Sequence, residues 1–330
     1  MTGRRAVLRV LGIAGLLAGA SVAALAQRQP TNARVGALLF TSPSDPLAKK
    51  YLAVFRQRLR ELGYVEGTTI VIDERFAAGS AQRLRELAQE LADAKMDVIV
   101  TPAVAATVAM HQVTKTIPIV MLHAGNPIGA GLIASLARPG GNVTGTTNVP
   151  LGGKHVELML EVLPRMRRLA ILVNPTNAGA RPHIASMTEA AHSSRLEVKI
   201  VEVSRPEDFV QAYASIRNAG ADWLHVLDEP MISSRRTEWV DFAAATRLPL
   251  SSDTAETPRI GGLLSYSAVI SEHYSLAAVY VDKILRGAKP ADLPVEQPTR
   301  YELIVNARSA KALGLSVPHS VLLRAQEVLQ

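Results

Sequence analysis

From Arg34 almost to the end of the chain, short unbroken apolar runs alternate with longer segments of helical period. RVGALLF (34–40) reads as a buried strand, and the segment from Leu47 to Leu62 as an amphipathic helix stopped by Gly63. TTIVIDERF (68–76), a helix around 80–94, DVIVT (97–101), a helix from Ala103 and IPIVML (117–122) continue the series. These strands lack polar alternation, so both faces must be covered. Separated by helices, they predict a parallel α/β sheet with helices on both sides.

The series restarts after VTGTTNVPLGGK. A helix (154–163), RLAILVN (168–174), a helix from Arg181, LEVKIVEV (196–203) and a helix (206–218) are followed by ADWLHVLD (221–228), a further helix, LPLSSD (248–253) and GGLLSYS (261–267). The prediction is two doubly wound parallel-sheet lobes joined by a multi-crossing hinge, with the Gly-rich connector from Gly140 to Gly153 as the first crossing. A helix from Glu272 to Leu285, the segment RGAKPADLPVEQP, the strand YELIVN (301–306) and a helix near 308–313 form the tail. The tail carries no third core and is expected to return to the first unit. Residues 27–150 and 268–330 then make lobe 1, and residues 151–267 lobe 2.

The first 26 residues place Arg4, Arg5 and Arg9 before an apolar stretch that closes on Ala24-Leu25-Ala26. This is the pattern of a secretory signal peptide cleaved near Ala26, and the basic start suits both the ordinary and the twin-arginine route. A membrane anchor would need a longer and more strongly apolar run. The chain has no cysteine, so neither a disulfide framework nor a lipid-modified cysteine is available, and the expected product is a soluble periplasmic protein. Its 36 Lys and Arg, less the three in the leader, stand against 29 acids and leave a charge of +4, too small and scattered to indicate nucleic acid.

Enzyme signatures are missing. RVGALLFTSPSDP stands where a dinucleotide-binding G-x-G-x-x-G would follow the first strand, and there is no phosphate-cradling loop, nucleophile elbow or H-E-x-x-H. The eight histidines never share a helix face or strand at ligand spacing, so no catalytic residue, metal or cofactor is expected.

What the strand ends do carry is small polar residues, often beside proline. In an open parallel sheet the carboxyl ends border the binding crevice. The expected ligand contacts are therefore Ser42, Ser44, Thr101, Ala103, Val104, His123 and Asn126 from the first unit, with Asn174, Asp228 and Tyr266 from the second. Any one of the hydroxyls and amides also fits a plain helix N-cap. TPAVAAT suits an anion, because Ala103 and Val104 cover little of the backbone at a helix start. Asp228, directly after the apolar run of a buried strand, is the expected partner of a ligand ammonium. Trp223 and Trp239 read as packing residues, and Tyr266 as a cleft wall.

Several stretches together carry a family resemblance: FRQRLRELGYVEGTTIVID, LADAKMDVIVT, IPIVM, GNPIGAGLIASLARPGGNVTG, GGLLSYS, AAVYVDKILRGAKPADLPVEQPTRYELIVNARSAKALGL and VLLRAQEVL. They span nearly all of the mature chain, and LARPGGNVTG and GAKPADLPVEQPT are the specific parts. The chain resembles the exported substrate-binding proteins of ATP-driven importers, in particular those for tryptophan and tyrosine. The resemblance implies a type I periplasmic-binding-protein fold, with ligand in the cleft between lobes and a hinge crossing near Asn148, which joins the expected contacts.

The expected protein is a monomer that captures an amino acid or similar carboxylate and hands it to an ABC permease and its ATPase. Two departures stand out: Asn126, where the family commonly has Asp, and Ser267, where Gly often follows SY. With aromatic residues at 4%, a smaller or more polar ligand fits as well as tryptophan. The same fold also serves sensory receptors, and an exported α/β enzyme is the remote alternative.

Overall fold

The computed structural model describes residues 32–177, 179–227 and 229–330. The leader segment and Asp228 lie outside the described residues. In chain order the first lobe contains β1 (Ala33–Leu39), α1 (Pro46–Glu61), β2 (Ile70–Phe76), α2 (Ala81–Asp93), β3 (Val98–Pro102), α3 (Ala103–Val113), β4 (Ile119–Ala124) and β5 (Val143–Thr147). The second continues with α4 (Gly152–Val162), β6 (Arg168–Val173), α5 (Ala180–Ser193), β7 (Glu197–Glu202), α6 (Phe209–Asn218), β8 (Trp223–Val226), α7 (Pro230–Ser233), α8 (Arg236–Ala245), β9 (Leu250–Ser252), α9 (Glu256–Arg259) and β10 (Leu264–Ala268). The tail holds α10 (Ile270–Leu285), β11 (Tyr301–Asn306), α11 (Ala307–Leu313), α12 (His319–Arg324) and β12 (Glu327–Leu329).

Two sheets result. The first has the order β2-β1-β3-β4-β5 and is wholly parallel; the second runs β12-β11-β10-β9-β8-β6-β7, with β11 antiparallel to β10. In each sheet the winding direction reverses once, between β1 and β3 and between β6 and β8, and such a switch point opens a crevice outside the carboxyl ends of the strands. Apolar side chains fill both faces of both sheets, as unbroken apolar strands require. Trp223 and Trp239 are fully buried on opposite faces of the second sheet, Trp223 with its indole N–H bonded to Ser251.

The tail corrects the expected lobe boundaries. Only α10 and the proline-rich segment return to the first lobe: Tyr274, Ala277, Ala278, Tyr280 and Val281 pack with α1 and the first sheet. Beyond them, Leu293 O accepts from the Thr144 hydroxyl at 2.7 Å, and Glu296 exchanges backbone hydrogen bonds with Gly145 and Thr147. The chain then crosses again, and β11 to β12 belong to the second lobe. Leu303, Val305, Ala310 and Val321 join its core, and β11 pairs with β10 from Leu264↔Val305 to Ala268↔Tyr301. The lobes are thus linked by three passages, at 148–151, at Val269 and at 297–300.

Candidate functional site

Between the lobes lies a cavity of about 890 Å³, walled by residues just beyond the carboxyl ends of β1, β2, β3, β4 and β5 on one side and β6, β7, β8 and β9 on the other. The start of α10, with Ile270 and Tyr274, completes the wall. Both switch points open into it, so the topology alone explains its position.

On the first lobe the loop after β1 brings Ser42 and Ser44 to the wall, their hydroxyls 2.8 Å apart. The next residue, Asp45, caps α1 by accepting from Leu47 N at 2.9 Å. The Thr41 hydroxyl is buried beside them with no hydrogen-bond partner among the described residues. After β3, Ala103 and Val104 line the cavity at the start of α3. The N-cap there is Pro102, which offers no side-chain acceptor, so the first amides of α3 carry no side-chain cap. Ala103 stands at φ 65°, in the left-handed region where a non-glycine residue is strained. The arrangement can receive an anion through backbone N–H groups and the positive end of the helix dipole.

His123 also holds a strained backbone, at φ 37°, with its N–H bonded to the Thr146 hydroxyl at 3.1 Å. Its ring lines the cavity, 5.9 Å from His273 edge to face and 6.5 Å from Tyr274. Burial pushes the His123 ring down to about 4, so it is neutral at pH 7. Asn148, on the first passage between lobes, lines the cavity with a buried Oδ1 that has no hydrogen-bond partner among the described residues. From the second lobe Asn174 reaches the wall, though its Oδ1 already accepts from Thr176 N at 3.0 Å and the Thr176 hydroxyl at 2.7 Å.

Three of the expected contacts are placed elsewhere. Thr101 is fully buried beneath α3 rather than at the cavity. The Thr107 hydroxyl donates to Ala103 O at 3.0 Å, which leaves Thr101 as the donor to Thr107 at 2.8 Å. Thr101 therefore braces the strained turn from below.

Asn126 turns away as well: its Oδ1 accepts from Gly129 N at 3.1 Å and caps the following turn. Its side chain thus serves the turn and does not border the cavity. Tyr266 stacks on Tyr301 at 5.7 Å, packs against the second core and lies off the cavity wall, because the pleat of β10 directs it toward α4. Its carbonyl accepts from His155 Nε2 at 2.8 Å.

The site also contains groups that strand-end reasoning does not reach. Tyr51 on α1 and Tyr274 on α10 stack at 5.4 Å and form an aromatic wall. Both sit on helix faces among packing residues, where periodicity marks them only as core. Burial pushes the Tyr51 phenol up to about 12 and raises Tyr274 further, so both remain protonated donors. The segment from Glu229 to Glu238 adds charge of both signs: Glu229 caps α7 by accepting from Ile232 N at 2.9 Å, and Arg235 pairs with Glu238 at 2.9 Å.

Behind this wall His183 lines the cavity, while His155 and His225 are buried with ring centroids 4.6 Å apart. Burial pushes His155 down to about 4 and His225 well below the usual imidazole range, with each further lowered by neighbouring histidines. Among the described residues no group of three or more His, Cys, Asp or Glu is placed to hold a metal ion.

Comparison with known proteins agrees with this geometry. The chain is 26% identical over 277 residues to a tyrosine-binding protein of Clostridioides difficile, covering 84% of this chain and 79% of the relative. An ABC domain from Streptococcus pneumonia, solved in complex with L-Trp, superposes with a TM-score of 0.85 at 25% identity, over 90% of this chain and all of that one. A conserved domain protein from Vibrio cholerae O1 biovar El Tor gives a TM-score of 0.85 at 26% identity, over 90% of this chain and 99% of the other. The family of ABC transporter substrate binding proteins matches residues 44–329, and with two wound lobes around a polar and aromatic cleft the chain belongs to that family.

Proposed function

We propose that this protein is the extracytoplasmic receptor of an importer for an amino acid or an aromatic carboxylate, and that it performs no chemistry on its cargo. The observation that carries this reading is the pairing, in one cavity, of the uncapped start of α3 with the Tyr51–Tyr274 wall. The first suits a carboxylate and the second a flat apolar side chain. The tyrosine-binding relative and the L-Trp complex support the same cargo class.

Ser42, Ser44, His123, Asn148 and Asn174 would complete the polar contacts, and Asp228 remains the proposed ammonium partner on sequence grounds. Ligand groups touching both lobes exist together only when the lobes are closed, so binding favours the closed state, which the permease would read. Among the described residues no helix is long and apolar enough to cross a membrane.

Thermal unfolding against a panel of amino acids, aromatic carboxylates, nucleosides and sugars tests the proposal. A ligand at a hundred times its Kd stabilises by about 2.7 kcal/mol, a shift of several degrees. Aromatic amino acids or aromatic carboxylates should raise the midpoint. A shift with sugars or nucleosides alone would overturn the cargo class. Within the active class, Asp228→Ala should weaken amines by about tenfold or more and leave ligands without an amine unchanged.

A further inference from the structure

The backbones of the two lobes meet at a pair of glycines. Gly125 lies just past β4 in the first lobe and Gly179 just before α5 in the second, and both border the cavity. A Cβ built on Gly125 would stand 2.8 Å from Gly179 Cα and 2.9 Å from the Gly179 carbonyl oxygen. A Cβ built on Gly179 would stand 3.2 Å from Gly125 Cα. Carbon atoms rest at about 3.5–4.0 Å, so a single methyl at Gly125 is incompatible with this approach.

Local conformation explains neither glycine. Gly179 has φ −70° and ψ −22°, values open to every residue, and Gly125 is not among the positive-φ glycines. Gly179 precedes α5 without supplying a side-chain cap, where Ser, Thr, Asp or Asn would bond a free amide. Asn177 instead fixes the approach, its Oδ1 accepting from Gly179 N at 2.9 Å. A side-chain link between lobes, Lys50 Nζ to Glu256 Oε1 at 3.9 Å, involves a side chain 58% exposed. Such a pair contributes little and has enough reach to stretch. Backbone against backbone has no such slack.

We propose that Gly125 and Gly179 set the limit of lobe closure, so that their missing side chains determine how tightly the cavity is sealed and how long a ligand is retained. The inference rests on the reading that cargo sits between the lobes. A side chain at either position acts as a wedge, and its effect grows with size. The closed state loses population while the ligand contacts themselves stay intact, so the loss appears in release rate more than in capture rate.

The absence of cysteine makes a direct test simple. Spin labels on a Lys50→Cys/Glu256→Cys pair report lobe separation by dipolar spectroscopy, without ligand and with saturating L-tryptophan. The parent should show a short-distance population in at least one condition. Gly125→Ala and Gly179→Ala should reduce it, and Gly125→Val should remove most of it. Gly153→Ala, whose Cβ meets nothing within 4 Å, should leave it unchanged.

For any ligand that stabilises the parent, Kd should rise by about tenfold in the alanine variants, the scale expected when the competent state falls to a tenth of its population. Circular dichroism and unfolding midpoints confirm that each variant is folded, and the two alanine variants carry the test if Gly125→Val is not. Identical distance distributions in parent and folded glycine variants overturn the proposal. So does a parent with no short-distance population in either condition. Failure of the cargo reading is a separate result, seen as no stabilisation by aromatic amino acids or aromatic carboxylates in the unlabelled parent.

Discussion

Tyr51 and Tyr274 lie nearly face to face, with ring centroids 5.4 Å apart and planes at 21°, although α1 and α10 stand far apart in sequence. The contact exists because α10, which follows β6 to β10 of the second lobe, returns across the hinge and packs on α1. An aromatic wall therefore faces the cavity in a chain with few aromatic residues.

Removing one ring should separate aromatic from aliphatic cargo. Tyr51→Leu keeps the bulk and loses the stack, which is worth about 0.5–1.5 kcal/mol. Titration calorimetry should show aromatic ligands weakened by several-fold and aliphatic ones nearly unaffected. Equal losses for both would show that the ring packs without touching cargo.

The buried histidines behind the second-lobe wall make stability fall in acid. His155 is pushed down to about 4 in the folded protein, against about 6.5 when unfolded, so the unfolded chain takes up its proton first. Stability is therefore undiminished above pH 6.5 and is lost as pH falls from about 6.5 to 4, by up to about 3 kcal/mol for this group. Urea unfolding across that range should show the slope, and His155→Gln, which retains a donor for the Tyr266 carbonyl, should flatten part of it.

Thr101→Val tests whether this residue is a brace or a contact. It removes the bond to the Thr107 hydroxyl and should cost about 1 kcal/mol of stability, read from the denaturation midpoint. Ligand affinity of the folded variant should change by less than about threefold, a loss of well under 1 kcal/mol. A larger loss would return Thr101 to the binding site.

Asn126→Asp restores the acid common in the family. A carboxylate can still accept from Gly129 N, and the side chain is off the cavity wall. Affinity for an amine-bearing ligand should change by about twofold or less, which is within the reach of a distant surface charge. A tenfold gain would place this residue against the ammonium.

Much of this protein is written in local pattern. Unbroken apolar runs separated by helical segments determine strands, helices, the α/β class and the placement of a cleft at strand ends, because period and burial are properties of neighbouring residues. On that basis Ser42, Ser44, Ala103, Val104, His123 and Asn174 were expected at the cleft, and the family resemblance added Asn148; all seven border the cavity.

Tertiary structure decided the rest. An apolar strand carries no address for its partner, so the pairing of β11 with β10, and hence the lobe to which the tail belongs, is settled only in the packed sheet. Thr101 and Tyr266 also sit on strands with the right composition, but the pleat and the packing of α3 and α4 turn their side chains away. The aromatic wall and the Gly125–Gly179 contact join residues far apart in sequence, and only the packed lobes bring them together.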